Sequence, residues 1–517
     1  MQADTNDKYA LVRGLGLIAA VSVIIGNVIG TGVFLKARVM TCNVGTPWWV
    51  IIAWIAAGIL SLAGALTYAE LTAMKPQAGG EYVFLRDAYG KVWSFLFGWM
   101  QMLIAKPGSQ AAAGIAFAIG LNDFIGDGKL SAAVFIKTTI LGQPFEVSMV
   151  QVTALMVIVI FTTINCATVS VSGQVATVLT GVKIALILFV TIGAFVWVTG
   201  DFHHFSLANS GGACEGVADS VRVGAPGYSF AAGFAAAMLG ALWGYDGWNN
   251  LTFVAGEVKN PNRNIPLAII GSTILVIVLY VLAHIGYFYV LDPTTIASVS
   301  RNSSVGKTVV SLFFGGGLQT LATGICVALF TFGLMLSSLG TLHTSILAGA
   351  RVPYAMAQDG LMFRALGRLS VTGVPVKALI VQGIWACILV GLSSASFDNL
   401  TDYVIFGSWI FYALVTSSLF VFRWKEPNAE RPYSAFGYPV IPVVFLLVAG
   451  WLLFTTIQSD LGTFFAGVDY LKSGQVAEGL KQFARTPSLT GTLLIILGLP
   501  VYYYLSRMKS QNSEESA

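Results

Sequence analysis

Charged residues are scarce in this chain of 517 residues, since only 10% are Asp, Glu, Lys or Arg while 56% are hydrophobic. A soluble domain carries about 25% charged residues, so this composition excludes an ordinary soluble fold. Many windows of about 20 residues hold no charge, which is the length that crosses a bilayer as an α-helix. The short alternating segments typical of a membrane β-barrel are missing. The sequence therefore predicts an all-α polytopic membrane protein.

Histidine and cysteine are also rare, with four and five residues respectively. Neither shows metal-ligand spacing, and no carboxylate–histidine set indicates a proton relay or an enzyme active site. We therefore expect no enzymatic activity, no cofactor, no metal and no nucleic-acid partner. Cys42 and Cys214 fall in two loops that we place on the same outer side, where a disulfide is compatible with an oxidising compartment.

The distribution of charge indicates the orientation of the chain. No cleavable signal is evident, because the N-terminus MQADTNDKYALVRG is polar and the apolar run from Leu15 is too long for a signal-peptide core. With the N-terminus inside, sixteen of the 28 Lys and Arg residues fall in inner segments and ten in outer ones. By the positive-inside rule, both termini are expected to be cytoplasmic.

Hydropathy predicts twelve transmembrane helices. The candidate spans are roughly 15–38, 47–74, 92–121, 147–166, 174–199, 229–256, 265–291, 316–350, 374–394, 400–423, 437–458 and 488–507. Residues 460–487 form a polar insertion between the last two spans, for which an amphipathic outer helix is one interpretation.

Two of these spans are interrupted by glycine. The first reads VSVIIGNVIGTGVFL and the sixth reads MLGALWGYDGWNN. Matched breaks five spans apart are typical of transporters built from inverted repeats, with the binding site near the membrane midplane. We expect a first five-helix repeat over 1–200 that includes the cytoplasmic N-terminus, a second over 225–425, two additional helices over 433–508, and a cytoplasmic tail over 509–517.

A break inside a membrane helix exposes backbone groups that must meet a ligand or line a cavity, because an unsatisfied group costs several kcal/mol in hydrocarbon. The N-terminal end of a half-helix offers N–H groups, and the C-terminal end offers carbonyl groups. Together they suit a zwitterion such as an amino acid. The alternative for Gly30, Thr31 and Gly32 is close helix packing through small residues.

Several motifs distributed over residues 10–508 resemble the L-type amino acid transporter family. They are GNVIGTGVF, GGEYVFLRDAYG, KPGSQ, TINC, GYDGWNNLTFVAGEVKNPNRNIPLAI, GARVPYAMAQDG and LPVYYYL. That family belongs to the amino acid–polyamine–organocation superfamily and has the LeuT fold. The resemblance implies 5+5 inverted repeats followed by two additional helices.

The resemblance also implies a substrate site at the two breaks. The amides of Thr31 and Gly32 would bind the α-carboxylate, with Gly30 permitting the turn. The carbonyl groups of Val28 and Trp243 would take the α-ammonium. The Trp243 ring would serve as a gate, unless it is a packing aromatic. The expected substrate-binding set is completed by Gly244, Tyr245, Asp246 and Asn249, of which Asn249 would support the unwound segment.

Asp246 places a carboxylate at mid-membrane, where charge is costly and needs a partner or water. Three roles remain open from the sequence: contact with the substrate ammonium, pairing with free N–H groups of the broken helix, or reversible protonation.

Lys183 lies deep in the fifth span with apolar residues on both sides, so its ammonium needs partners. The resemblance implies that it replaces a structural sodium ion between spans one and eight, with Thr344 and Ser345 as the span-eight hydroxyls. Lys106 and Ser109 are weaker candidates for lining the pathway. Glu257 and Arg263 are candidates for an inner gate or a loop network.

The sequence thus favours a sodium-independent exchanger of neutral L-amino acids that works by alternating access. A proton-coupled amino acid or amine symporter is the alternative, and a non-transporting amino acid sensor is a third. The loop over 122–146 lacks the cysteine that links animal relatives to a heavy subunit. We therefore expect no heavy subunit, a monomer or homodimer surrounded by membrane lipid, and a location in a bacterial inner membrane.

Overall fold

A computed structural model describes most of the chain and is predominantly α-helical. The described residues are 13–125, 129–140, 143–167, 169–300, 303–315, 320–392, 397–483 and 486–514. The cytoplasmic placement expected for 1–12 and for the end of the tail at 515–517 falls outside them.

The described residues of the first half form nine α-helices and one antiparallel hairpin of two strands. Their bounds are α1 (Leu17–Val28), α2 (Gly32–Val44), α3 (Pro47–Met74), α4 (Glu81–Tyr89), α5 (Lys91–Met100), α6 (Lys106–Ile125), α7 (Lys129–Ala132), β1 (Val134–Ile140), β2 (Gln143–Ser148), α8 (Met149–Asn165) and α9 (Val169–Val196). Short 3₁₀ turns follow at Phe202–Ser206 and Asp219–Val221. The hairpin was not expected from the sequence.

The described residues of the second half form twelve helices and two further 3₁₀ segments, Phe313–Gly315 and Arg364–Gly367, besides the one that continues α10. The helices are α10 (Phe230–Tyr245), α11 (Pro261–Val290), α12 (Pro293–Ser298), α13 (Val305–Val310), α14 (Leu321–Gly349), α15 (Arg351–Gln358), α16 (Val376–Leu392), α17 (Phe397–Lys425), α18 (Val440–Lys472), α19 (Val476–Phe483), α20 (Pro487–Ile496) and α21 (Gly498–Glu514). The 3₁₀ segment Asn250–Glu257 continues α10 beyond a break.

Nine helical segments in the described part of the chain are long and apolar enough to cross a membrane. They are Leu17–Val44, Pro47–Met74, Lys91–Ile125, Val171–Val196, Pro261–Val290, Leu321–Gln358, Val404–Lys425, Val440–Lys472 and Ser488–Arg507. The remaining three expected spans correspond to the shorter helices α8, α10 and α16. The polytopic helical architecture is confirmed. Among the described residues, nine helical segments meet the length needed to cross a membrane, whereas hydropathy predicted twelve.

The polar insertion expected over 460–487 is largely helical in its described residues, in keeping with the helical interpretation. Helix α18 runs without interruption to Lys472, well past the predicted end of its span at 458. Helix α19 then folds back against it, and the rings of Phe464 and Phe483 meet with centroids 5.0 Å apart. Phe464 and Phe465 nevertheless remain 37% and 60% exposed, so α19 covers this part of α18 only in part.

The third long segment contains a local widening of the helix. Residues Gln101–Ala105 form a π-helical turn between α5 and α6. Such a turn inserts an extra residue and is frequent at functional sites. It lies directly before Lys106, the first residue of α6.

The core of the molecule surrounds the two interrupted helices. Helix α1 packs against α9, α11 and α14, while α10 packs against α2 and α3. Helix α6 packs along α14, and α3 packs along α11. The breaks in the first and sixth spans are therefore enclosed by protein on several sides, which is where irregular backbone is tolerated within a membrane.

Candidate functional site

The two helix breaks meet at one cavity. The first helix stops at Val28 and resumes at Gly32, and Ile29 between them has extended backbone angles. Helix α10 stops at Tyr245, where Asp246 is extended and Gly247 has a φ of 108° that favours glycine. The cavity between them is lined by Asn27, Val28, Gly30, Thr31, Gly32, Ser109, Ala113, Ala116, Trp243, Gly244, Asp246, Ser338 and Thr341.

The half-helices approach each other closely at Gly32. A Cβ atom on this residue would lie 3.2 Å from the Gly244 Cα atom and 3.4 Å from Cδ1 of the Trp243 ring. Thr31 is the N-cap of α2 and Gly32 is its first residue, and the first amides of a helix have no carbonyl partner within it. The N-terminus of α2, which carries a partial positive charge, therefore points into the cavity beside the Trp243 ring. A helix N-terminus of this kind can bind a carboxylate.

Tyr280 of α11 joins the two breaks from behind. Its hydroxyl oxygen lies 2.9 Å from the Val28 carbonyl oxygen and 3.0 Å from the Gly244 carbonyl oxygen. A hydroxyl donates one hydrogen at a time, so the two carbonyl groups share a single donor. The sequence prediction missed Tyr280 because a tyrosine in an apolar helix is typical of packing.

Two residues of the expected substrate-binding set lie outside the cavity lining. Tyr245 is buried, and its ring packs against Trp54 with centroids 5.5 Å apart. Asn249 is also buried, and its side-chain amide donates to Glu81 Oε1 at 3.0 Å. The structure thus places Tyr245 in the packing behind the break, and Asn249 in a buried polar network with Glu81.

Asp246 lines the cavity and is bound from one side by Tyr412 of α17. The Tyr412 hydroxyl donates to Asp246 Oδ1 at 2.7 Å. Lys106 lies nearby, where its ammonium contacts Asn250 Oδ1 and stands 4.5 Å from the centre of the Phe253 ring. The carboxylate therefore has a hydroxyl donor and a neighbouring cation, and it still faces the cavity.

Lys183 connects the first, fifth and eighth spans. Its ammonium donates to the Gly26 carbonyl oxygen of α1 and to Thr341 Oγ1 of α14, the latter at 2.8 Å. Gly340 leaves room for this side chain, because a Cβ atom there would lie 2.6 Å from Lys183 Cε. The side chain is 0% exposed.

The expected contacts of Lys183 with Thr344 and Ser345 are wrong. Thr344 Oγ1 lies 2.9 Å from the Gly340 carbonyl oxygen and 3.3 Å from Asn27 Oδ1. Ser345 Oγ is buried without a hydrogen-bond partner among the described residues. The hydroxyl that reaches Lys183 belongs to Thr341, about one helical turn earlier on the same face of α14.

A buried ion pair holds the end of the 3₁₀ segment that continues α10. Arg351 Nε lies 3.0 Å from Glu257 Oε1, and both side chains are 0% exposed. The sequence had grouped Glu257 with Arg263, but Arg263 is exposed at the start of α11. Leu15 also pairs with the backbone beside Glu257, accepting from the Lys259 amide at 2.8 Å.

Cys42 and Cys214 form a disulfide, with Cα atoms 5.7 Å apart. Cys42 lies within the last turns of α2 and not in a loop as expected, whereas Cys214 is in the long connection before α10. The bond ties the far end of the broken first helix to that connection. In the described part of the chain, no group of three His, Cys, Asp or Glu side chains has the arrangement of a metal site.

An interrupted helix pair around a polar cavity, set in a bundle of apolar helices, defines a polytopic membrane permease. Comparison with known proteins gives the family. The family model described as "Amino acid permease" matches residues 15–468. The chain belongs to this family, and the resemblance to the L-type transporters is confirmed.

Several curated relatives are similar over most of the chain. The human b(0,+)-type amino acid transporter 1 is 30% identical over 461 residues, which cover 89% of this chain and 85% of the relative. The serine/threonine exchanger SteT of Bacillus subtilis is 27% identical and covers 98% of this chain and 99% of its own length. The mouse large neutral amino acids transporter small subunit 2 is 28% identical, over 87% of this chain and 77% of the relative.

Proposed function

We propose that this protein is a secondary active transporter that exchanges neutral L-amino acids across the membrane without sodium, by alternating access. The observation that best supports this proposal is that two helix breaks border one cavity, where they expose both N–H and carbonyl groups. The N-terminal end of α2 offers amides for a carboxylate, and the adjacent carbonyl groups and Asp246 offer acceptors for an ammonium. The exchanger and transporter names of the relatives support the same activity.

The roles of the individual residues follow from this geometry. The amides of Thr31 and Gly32 bind the substrate carboxylate, and the Trp243 ring closes over the substrate. The Val28 carbonyl takes the ammonium once the shared Tyr280 hydroxyl turns to Gly244. Gly30 permits the turn, while Gly244 and Asp246 line the opposite wall. Tyr245 and Asn249 support that wall from behind.

Lys183 is the basis for sodium independence. Its buried ammonium joins the carbonyl group of Gly26 to the hydroxyl of Thr341. A fixed cation that satisfies these oxygens removes the need for a bound sodium ion between the first and eighth spans. Transport then draws on the gradient of one amino acid to move another.

The proposed architecture is a LeuT fold with twelve transmembrane helices. Residues 1–200 and 225–425 would form inverted five-helix repeats, 433–508 would add two helices, and 509–517 would be a tail on the cytoplasmic side with the N-terminus. The charge distribution supports this orientation in a bacterial inner membrane. We further propose that the chain works as a monomer or homodimer without a heavy subunit.

Purified protein in liposomes tests the proposed function. Liposomes preloaded with unlabelled amino acid should take up labelled amino acid, while empty liposomes should not, and replacing sodium by choline should change neither result. A panel of unlabelled competitors then gives the side-chain preference. Uptake into empty liposomes driven by sodium would contradict the proposal.

Proton-coupled uptake is the second candidate, because the Asp246 carboxylate borders the cavity and faces Lys106. It requires net uptake into empty liposomes when the outside is acidified. Exchange requires substrate on both sides, so the same preparation separates the two mechanisms.

A further inference from the structure

A second buried carboxylate lies on the inner side of the cavity. Glu81 is the first residue of α4, which lies outside the candidate membrane spans, and its side chain is 0% exposed. Its Oε1 atom accepts from the Tyr68 hydroxyl at 2.8 Å and from Asn249 Nδ2 at 3.0 Å. Its Oε2 atom has no hydrogen-bond partner among the described residues.

The backbone fixes Glu81 against the segment that follows the second break. Gly79 and Gly80 both have positive φ, and the Gly79 amide donates to the Phe253 carbonyl oxygen at 3.1 Å. A Cβ atom on Gly80 would lie 2.4 Å from Thr252 Oγ1. The start of α4 therefore sits directly on the 3₁₀ segment, which leaves Glu81 little freedom to turn away from Asn249.

A line of side chains connects Glu81 to the cavity wall. The Tyr412 hydroxyl donates its one hydrogen to Asp246 at 2.7 Å, and Asn249 Oδ1 lies 3.5 Å from the same hydroxyl as a second possible acceptor, at the limit of a hydrogen bond. The ring of Trp248 packs between Tyr68 and Tyr412, with centroid distances of 4.7 and 5.5 Å. Glu81 and Asp246 thus occupy the two ends of one packed polar chain.

The charges in this region do not balance. Among the described residues, Lys106 is the cation that interacts with both Glu81 and Asp246. When all three groups are ionised, one positive charge stands against two negative charges. An excess charge in a buried site is costly, and either a proton or the ammonium of a substrate removes it.

We propose that Glu81 is a positioning residue through which protons weaken substrate binding, an inference that rests on the proposed transport function. Ionised Glu81 orients Asn249 and thereby Tyr412 and Asp246, and it contributes the negative charge that the substrate ammonium neutralises. When Glu81 is protonated, the charge of Asp246 is already balanced by Lys106. The substrate ammonium then neutralises no excess negative charge, so the substrate binds more weakly. Glu81 does so without touching the substrate.

The surroundings of the Glu81 carboxylate shift its pKa upward, toward the pH range in which transport can be measured. Burial raises the pKa of Glu81 above its ordinary value. The hydrogen bonds from Tyr68 and Asn249 and the charge of Lys106 lower this pKa, but the effect of burial is larger. Substrate affinity is therefore highest above this raised pKa and falls as the pH falls through it.

The groups that face the Glu81 carboxylate come from four parts of the chain. They are Tyr68 of α3, Lys106 of α6, Asp246 and Asn249 after α10, and Tyr412 of α17. Tyr82 and Arg86, on α4 itself, are bound to Asp359 instead.

The test measures the apparent KM of exchange in liposomes as a function of pH. In the wild type, KM should rise about tenfold between about pH 8 and about pH 5, because the site loses one of the negative charges that the substrate ammonium neutralises. The Glu81→Gln variant should show the high KM at every pH. The control Asp87→Asn, on the same helix but bound to Lys75 and Arg86, should keep the wild-type profile.

A second variant keeps the inference open to refutation if Glu81→Gln fails to fold. Tyr68→Phe removes a donor to the ionised carboxylate, so the midpoint of the KM profile should move up by about one pH unit. A wild-type KM independent of pH would overturn the role of Glu81, as would an unshifted midpoint in Tyr68→Phe or an unchanged profile in Glu81→Gln. Absence of exchange by the wild type at every pH would instead contradict the proposed function itself.

Discussion

Lys183 Nζ lies 2.8 Å from Thr341 Oγ1, and the same ammonium binds the carbonyl oxygen of Gly26 just before the break in the first helix. One side chain of α9 therefore holds α1 against α14 at the depth of the cavity. A buried ammonium is stable only while its partners remain in place.

Replacing Lys183 with Ala should abolish most of the exchange activity. The Gly26 carbonyl and the Thr341 hydroxyl lose their shared donor, so we expect at least a tenfold loss of rate, the cost of about 1.4 kcal/mol in one buried hydrogen bond to a charged group. Exchange in liposomes measures it, with Lys377→Ala, an exposed lysine, as the control. Unchanged flux in Lys183→Ala protein of normal yield would remove the sodium-replacement role.

Removing only the hydroxyl of Tyr280 should slow exchange while leaving the fold intact. Phe keeps the ring, but the carbonyl groups of Val28 and Gly244 lose their common donor, which costs about 1–3 kcal/mol at a buried site. Tyr287→Phe on the same helix is the matched control, since its hydroxyl has no hydrogen-bond partner among the described residues. Equal exchange rates in both variants would show that the bridge does not affect transport.

The Asp246→Asn variant should bind amino acid about tenfold more weakly, because the wall of the cavity loses the negative charge that faces the substrate ammonium. Titration of the purified protein with substrate measures the affinity directly. Asp469→Asn, whose side chain is 76% exposed, should bind as the wild type does. Equal affinities in all three proteins would count against a direct contact.

Breaking the ion pair between Glu257 and Arg351 should destabilise the protein strongly. Both side chains are 0% exposed, and removal of one partner from a buried pair costs about 3–5 kcal/mol. The thermal unfolding midpoint of Glu257→Gln in detergent should fall accordingly. Adding Arg351→Met should restore part of the loss, since no charge then stays unpaired, and a double variant less stable than the single one would contradict this reasoning.

Loss of the disulfide should also lower the stability of the protein. Cys42 and Cys214 close a loop with a sequence separation of 172 residues, and removal of a native disulfide typically costs about 2–5 kcal/mol. Cys42→Ser should unfold at a lower temperature than the wild type and no longer respond to reductant. Cys326→Ser, a free cysteine, should respond to reductant as the wild type does.

The sequence predicted the features that depend on composition and on chain breakers. Apolar runs located the long helices, and the glycines around Gly30 and Gly247 located both breaks. Lys183 stood out because an isolated ammonium in an apolar span requires partners. These signals are local, so one chain is enough to find them.

The missed features depend on which side chains meet in three dimensions. Thr341, Thr344 and Ser345 all present hydroxyls near one face of α14, and only the packing of α9 against it selects Thr341. Tyr280 and Tyr412 resemble ordinary aromatic residues of apolar helices. Glu81 belongs to a loop motif whose burial follows from the positive φ of Gly79 and Gly80 and from the segment that they pack against.

The π-helical turn at Gln101–Ala105 absorbs one extra residue within a single turn, so the helix that follows keeps its register. In an uninterrupted α-helix, an inserted residue would rotate everything after it by roughly 100° around the helix axis. Deleting one residue and letting the turn become α-helical should therefore leave Lys106 against Asn250 and Ser109 at the cavity wall. An insertion that is not absorbed in this way would swing both side chains out of place, even where each amino acid is unchanged.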